Sequence, residues 1–158
     1  MKEYSESELR NKAEAFCSTA EHCPSEVIAK LAKWGADEIA TEHILLQLEK
    51  ERYIDNTRYC RFFVRDKYRF ARWGKMKIKQ ALKMKGLPDE DIRIGLDEID
   101  ETEYENILKD LLCKKKKSIT GKNDYERNAK LIRFAIGRGY AMDEIVRHVK
   151  NMEDEYLD

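Results

Sequence analysis

Three stretches of this 158-residue chain repeat one another, and that self-similarity restricts the fold more than any other feature. Aligned at Gly35, Gly86 and Gly139, the segments before the glycine place Val27, Ile78 and Leu131 at one equivalent position and Leu31, Leu82 and Ala135 at another. After the glycine, Ile92 matches Ile145, Leu96 matches Val149 and Ile99 matches Met152. The first copy joins this register when about three residues are inserted before Ile44. A period near fifty residues marks a stack of supersecondary units, none of which buries its apolar side well alone.

Within each copy the apolar residues recur at helical spacing and no strand alternation competes. Ser5 with Glu8 reads as a capping box that opens a first helix running to about Thr19. Pro24 suits the first turn of a second helix that stops at Gly35, and a third carries Ile44, Leu45 and Leu48. Asp55 or Asn56 starts a long fourth helix whose apolar side is expected to be Tyr59, Phe62, Phe63, Phe70 and Trp73, with Gly74 ending it. A fifth covers Lys75 to Lys85, and a sixth holds Ile92, Leu96 and Ile99. Thr102 with Glu105 is expected to form a second capping box, opening a seventh helix that carries Leu111 and Leu112 into four lysines. The eighth starts near Asn123 or Asp124, and the ninth carries Ile145, Val149 and Met152. The expected fold is all-α: three tandem three-helix repeats, at 1–52, 53–100 and 101–158, forming an elongated, curved helical array. Two prolines, seven glycines and 39% charged residues suit that class.

The formal net charge is zero, yet the signs are segregated. Residues 1–57 carry 7 basic and 12 acidic side chains, residues 58–85 carry 11 basic and one acid, Asp66, and residues 86–110 carry 2 basic and 10 acidic. Residues 111–123 add five lysines. No long apolar run is present, and the opening MKEYSESELR is acidic and polar, so a cytoplasmic chain without a membrane span is expected. Cys17, Cys23, Cys60 and Cys113 lack a CxxC pair and read as free thiols. Cys17, His22 and Cys23 supply three potential zinc ligands without a fourth nearby, so packing is the preferred reading and no metal or cofactor is expected.

The stretch YIDNTRYCRFFVRDKYRFARWGKMKIKQALKMKGL resembles the central signature of the RecX regulatory family, through Tyr53, Ile54, Asp55, Arg58 and Tyr59, then Phe63, Gly74, Ile78, Leu82 and Gly86. The ending DYERNAKLIRFAIGRGYAMDEI resembles the family's third repeat, and the segment around CPSEVIAKLAKWG resembles its first. The resemblance implies tandem three-helix repeats that bind a RecA-type recombinase, lodge along the groove of its filament on single-stranded DNA and modulate strand exchange. It implies no reaction.

Arg58, Arg61, Arg65, Arg69 and Arg72 follow at spacings of three and four, which sets five guanidinium groups on one face of the fourth helix with no acid opposing them. Lys75, Lys77 and Lys79 extend that basic surface, with Lys83 and Lys85 beyond them, and Arg127, Lys130, Arg133 and Arg138 form a lesser one on the eighth helix. These are the candidate partner-binding and nucleic-acid-binding residues, because unopposed cations repel one another until phosphates or carboxylates neutralise them. The competing reading is a solvated face balanced by the acidic block at 86–110. Lys114 to Lys117 point in four directions and read as a solvated helix end. The aromatics near the arginines suit core packing better than base stacking. His22, His43 and His148 sit in no catalytic motif, and no glycine-rich phosphate loop is present.

Three functions fit: a non-enzymatic monomer regulating a recombinase filament, a free-standing helical nucleic-acid-binding protein, or a helical scaffold. Affinity for bare DNA that falls steeply with salt separates the second from the others.

Overall fold

The computed structural model describes residues 3–155, with side chains through residue 153. Among the described residues there are nine helices and no strand: α1 Glu6–Thr19, α2 Pro24–Lys33, α3 Glu38–Lys50, α4 Asn56–Arg69, α5 Lys75–Met84, α6 Asp89–Asp97, α7 Glu101–Lys116, α8 Asp124–Gly137 and α9 Met142–Glu155. None is long and apolar enough to cross a membrane.

The three aligned glycines have the same local geometry. Gly35, Gly86 and Gly139 have φ of +90°, +83° and +101°. In each copy the amide after the glycine donates to the carbonyl five residues back: Ala36 to Leu31, Leu87 to Leu82 and Tyr140 to Ala135, at 2.9–3.2 Å. This paired closure of a helix end needs a left-handed residue, which glycine adopts without a Cβ penalty. The aligned positions before it, Val27, Ile78 and Leu131, and Leu31, Leu82 and Ala135, are all buried.

Local capping sets most helix starts. Ser5 and Glu8 form the reciprocal capping box, Pro24 occupies the first turn of α2, Asp55 accepts from the Arg58 amide at 3.0 Å, and Asn123 from Glu126 at 2.8 Å. Two expectations are corrected. α7 is capped by Asp100, which accepts from the Glu103 amide at 3.0 Å, and not by a Thr102–Glu105 box. Ile99 lies beyond the end of α6, buried between helices just before the α7 cap, so its structural counterpart is Ile54, buried just before the α4 cap, and not Met152 in α9.

The described residues form two compact units: those up to Phe62 with Leu82–Gly95, and Phe63–Ala81 with those from Leu96 onward. In the first, α1, α2 and α3 pack against one another around Leu9, Ala13, Val27, Leu31, Ile44, Leu48 and Ile54. In the second, α7, α8 and α9 do the same, burying Leu108, Leu112, Leu131, Ile145 and Val149.

A tyrosine clasp recurs, once in each unit. Tyr104, buried in α7 four residues after its cap, accepts from the Lys75 amide at the start of α5 at 2.9 Å. Tyr59, in the same place relative to the α4 cap, hydrogen-bonds Glu26 and Cys23 at the start of α2. Tyr104 thereby satisfies a first-turn amide that has no intrahelical partner, Tyr59 joins the Cys23–Glu26 pair that caps α2, and burial pushes both phenols well above the usual tyrosine range.

Candidate basic surface

The charge blocks that are separate in sequence meet in the folded chain. α4 ends at Arg69 rather than near Gly74. Arg72 therefore does not lie on the α4 face; it has left-handed φ of 58° in the turn that follows. That strained backbone is held from two sides, by Asp110, which accepts from the Arg72 guanidinium at 2.6 Å, and by the Tyr140 hydroxyl, which donates to the Arg72 carbonyl at 3.0 Å. Arg69 Nε donates to Glu103 at 2.6 Å, and Lys75 pairs with Glu101 and lies over the Tyr104 ring. Paired carboxylate and guanidinium each favour the other's charged form: Lys114 and Arg72 hold Asp110 below the usual aspartate range, and Glu103 raises Arg69.

In the first unit, Arg58 is a structural clasp. Its guanidinium donates to Glu21 at 2.5 Å and to the carbonyls of Arg52 and Tyr53 at 3.1 and 3.3 Å, tying the α1–α2 connection to the approach into α4. The expectation of five unopposed guanidiniums is thus corrected: Arg58, Arg69 and Arg72 are matched by acids, two of them from the block at 86–110.

Other candidates are also engaged internally. Lys77 lies 4.5 Å from the Trp73 ring centroid. Arg127 donates to the Gly121 carbonyl at 2.8 Å and pairs with Asp124, while Lys130 reaches the Thr120 carbonyl at 2.6 Å, so α8 uses both to fasten the α7–α8 loop. Arg61 is exposed on α4. Arg65, Lys79 and Arg133 are exposed, and their side chains make no hydrogen bond or ion pair with another described residue.

The aromatic set divides. Tyr59, Phe63 and Tyr68 are buried, as core packing requires. Phe62 and Phe70 are not part of an apolar side: they are 50% and 80% exposed, and Phe62 falls at the edge of the arc occupied by Arg61 and Arg65 on α4. A helical wheel places it there; aromatic type alone suggests core. Among the described residues no cluster of His, Cys, Asp and Glu could hold a metal. Cys23 bonds Ser25 and Glu26, and His22 stacks on Phe16. The surface offers fixed positive charge and exposed rings, which suit phosphates, carboxylates and bases.

Residues 55–96 match the family model for the RecX second three-helix domain, and residues 102–149 the model for its third. Regulatory protein RecX of Acinetobacter baylyi is 31% identical over 153 residues, spanning 97% of this chain and 93% of the relative. The protein of the same name from Clostridium perfringens strain 13 is 32% identical over 139 residues, but the match spans 63% of that longer relative. The fold superposes on the crystal structure of RecX from Lactobacillus salivarius with a TM-score of 0.83 at 20% identity, covering 94% of this chain and 96% of that one.

Proposed function

The chain belongs to the RecX family of regulatory proteins, and on that premise we propose that it is a non-enzymatic regulator that binds a RecA-type recombinase filament on single-stranded DNA and inhibits its strand exchange and ATP hydrolysis in recombination and repair. The observation that carries the docking surface is that, of the candidate cations, Arg65, Lys79 and Arg133 stay exposed with no side-chain partner among the described residues. Arg69, Arg72, Lys75 and Arg127 act mainly as internal ties in this reading. Lys77 and Arg61 flank the docking cations, and Arg58 shapes the approach to α4.

The test is inhibition of filament ATPase and strand exchange by the full chain and by a Arg65→Glu/Lys79→Glu/Arg133→Glu variant with unchanged helical content. The expected result is at least a tenfold rise in the concentration needed, about 1.4 kcal/mol of lost binding. Full inhibition by the variant overturns the assignment. A second reading, direct binding of single-stranded DNA, is favoured by exposed Phe62 and Phe70 beside arginines. It requires affinity for bare single strands that falls steeply with salt and drops when both phenylalanines become alanine.

A further inference from the structure

The outward face of α3 carries a feature that the basic surface does not explain. Ile39 and Leu46, seven residues apart and therefore one above the other on the helix, are 67% and 60% exposed. Exposed Glu38, Glu42 and Glu49 fall in a neighbouring arc, so an acidic ridge runs beside the apolar one. The inward face is conventional, with Ile44 and Leu48 fully buried. His43 sits on the other side of the apolar ridge, where Glu6 of α1 meets its ring nitrogen at 3.1 Å, adding a further carboxylate. Lys50 closes the face at the last turn. This is not a property of every third helix of a repeat: the exposed residues of α6 are Asp89, Glu90, Arg93 and Asp97, all charged.

Single exposed apolar side chains are ordinary on a protein surface, but two large ones stacked on one helix face and flanked along one side by three carboxylates form a directional docking strip. We propose that this face of α3 binds a basic amphipathic helix of a protein partner, whose apolar stripe covers Ile39 and Leu46 while its lysines or arginines meet Glu38, Glu42 and Glu49. Charge complementarity selects that occupant: the segment up to residue 57 has 12 acids against 7 bases, so an acidic partner or a nucleic acid would be repelled. Helix-in-groove recognition of this kind reads anchors at i and i+7 and derives its orientation from the flanking charges. The site is separate from the cations assigned to the filament and stands independently of that reading.

The test is titration of the full chain with two synthetic helical peptides of identical apolar spacing, one Leu/Lys and one Leu/Glu, followed by amide chemical shifts. The Leu/Lys peptide is expected to shift residues of α3 and Glu6, with affinity falling at least tenfold for Ile39→Ser/Leu46→Ser and for Glu38→Gln/Glu42→Gln/Glu49→Gln, and the Leu/Glu peptide is expected not to bind. Thermal melts of both variants should match the parent, since the substituted side chains are exposed. Shifts centred on other helices, unchanged affinity of either variant, or a dimer of the parent chain that Ile39→Ser/Leu46→Ser dissociates would overturn the proposal, the last by showing that a second copy covers the face.

Discussion

Gly74 and Gly139 lie backbone against backbone: the Gly74 amide donates to the Arg138 carbonyl at 2.7 Å, the Met76 amide to the Gly139 carbonyl at 3.0 Å, and a methyl group on Gly74 would stand 2.2 Å from the Gly139 carbonyl carbon. The turn before α5 and the turn before α9 are thereby joined as two short pieces of main chain, with no room for a side chain between them.

Gly139→Ala therefore combines left-handed strain with a steric collision against Lys77 and Gly74, whereas Gly35→Ala meets only the strain, because the space around it is open. Urea unfolding should show Gly35→Ala destabilising by about 1–2 kcal/mol and Gly139→Ala by a further ~1–3 kcal/mol from overpacking. Equal losses at the two sites would refute the close approach.

Tyr104→Phe removes the oxygen that accepts from the Lys75 amide and leaves that N–H without its partner. An expected loss of about 1–3 kcal/mol follows from one unsatisfied buried donor, read as a lower denaturation midpoint at unchanged slope. A variant as stable as the parent would mean that water replaces the phenol.

Glu101→Gln/Glu103→Gln/Asp110→Asn keeps side-chain shape and releases Lys75, Arg69 and Arg72 from their carboxylates. Affinity for bare single-stranded DNA should increase, and the slope of log K against log salt should steepen by up to about 0.7 per cation newly placed on a phosphate. An unaltered slope would show that these cations face away from any nucleic acid path.

Glu144 and His148, one turn apart on α9, each bury a polar atom with no hydrogen-bond partner among the described residues, Oε2 and Nε2. Burial, with Asp143 and Glu101 adding and Lys75 and Arg147 opposing, raises Glu144 above its ordinary 4.5. Burial, with Arg147 and Lys109 adding and Glu105 opposing, lowers His148 below 6.5. The signs differ in consequence. As pH rises above 4.5 the unfolded chain ionises Glu144 before the folded chain does, so stability declines through that window. As pH falls below 6.5 the unfolded chain protonates His148 first, so acidification is also destabilising. His148→Gln should flatten the loss of melting temperature below pH 6.5, and Glu144→Gln should raise the melting temperature at pH 7. Parallel pH profiles for parent and variants would contradict both assignments.

Much of this fold was legible from residue pattern, and for local reasons. The αL position of Gly35, Gly86 and Gly139, the capping by Ser5, Asp55 and Asn123, and the helical spacing that sets Val27, Ile78 and Leu131 on an apolar face all depend on residues within a turn or two of each other, so their order in the chain carries the information. The basic candidates were legible as residue types, but their availability was not. Arg69 and Glu103 are 34 residues apart and Arg72 and Asp110 are 38 apart, and nothing in a helical wheel says that they meet. Phe62 differs: aromatic character suggests burial, but its place on the helical wheel beside the arginine arc already points to the exposed position that it takes on α4.

The amino-acid order alone thus determined the helical class, the threefold period and the turn chemistry, because each is written in interactions closed within a single helix or turn. Tertiary structure decided which charges remain for a partner, since an ion pair forms between side chains that folding brings together and its energy depends on distance through space, not along the chain.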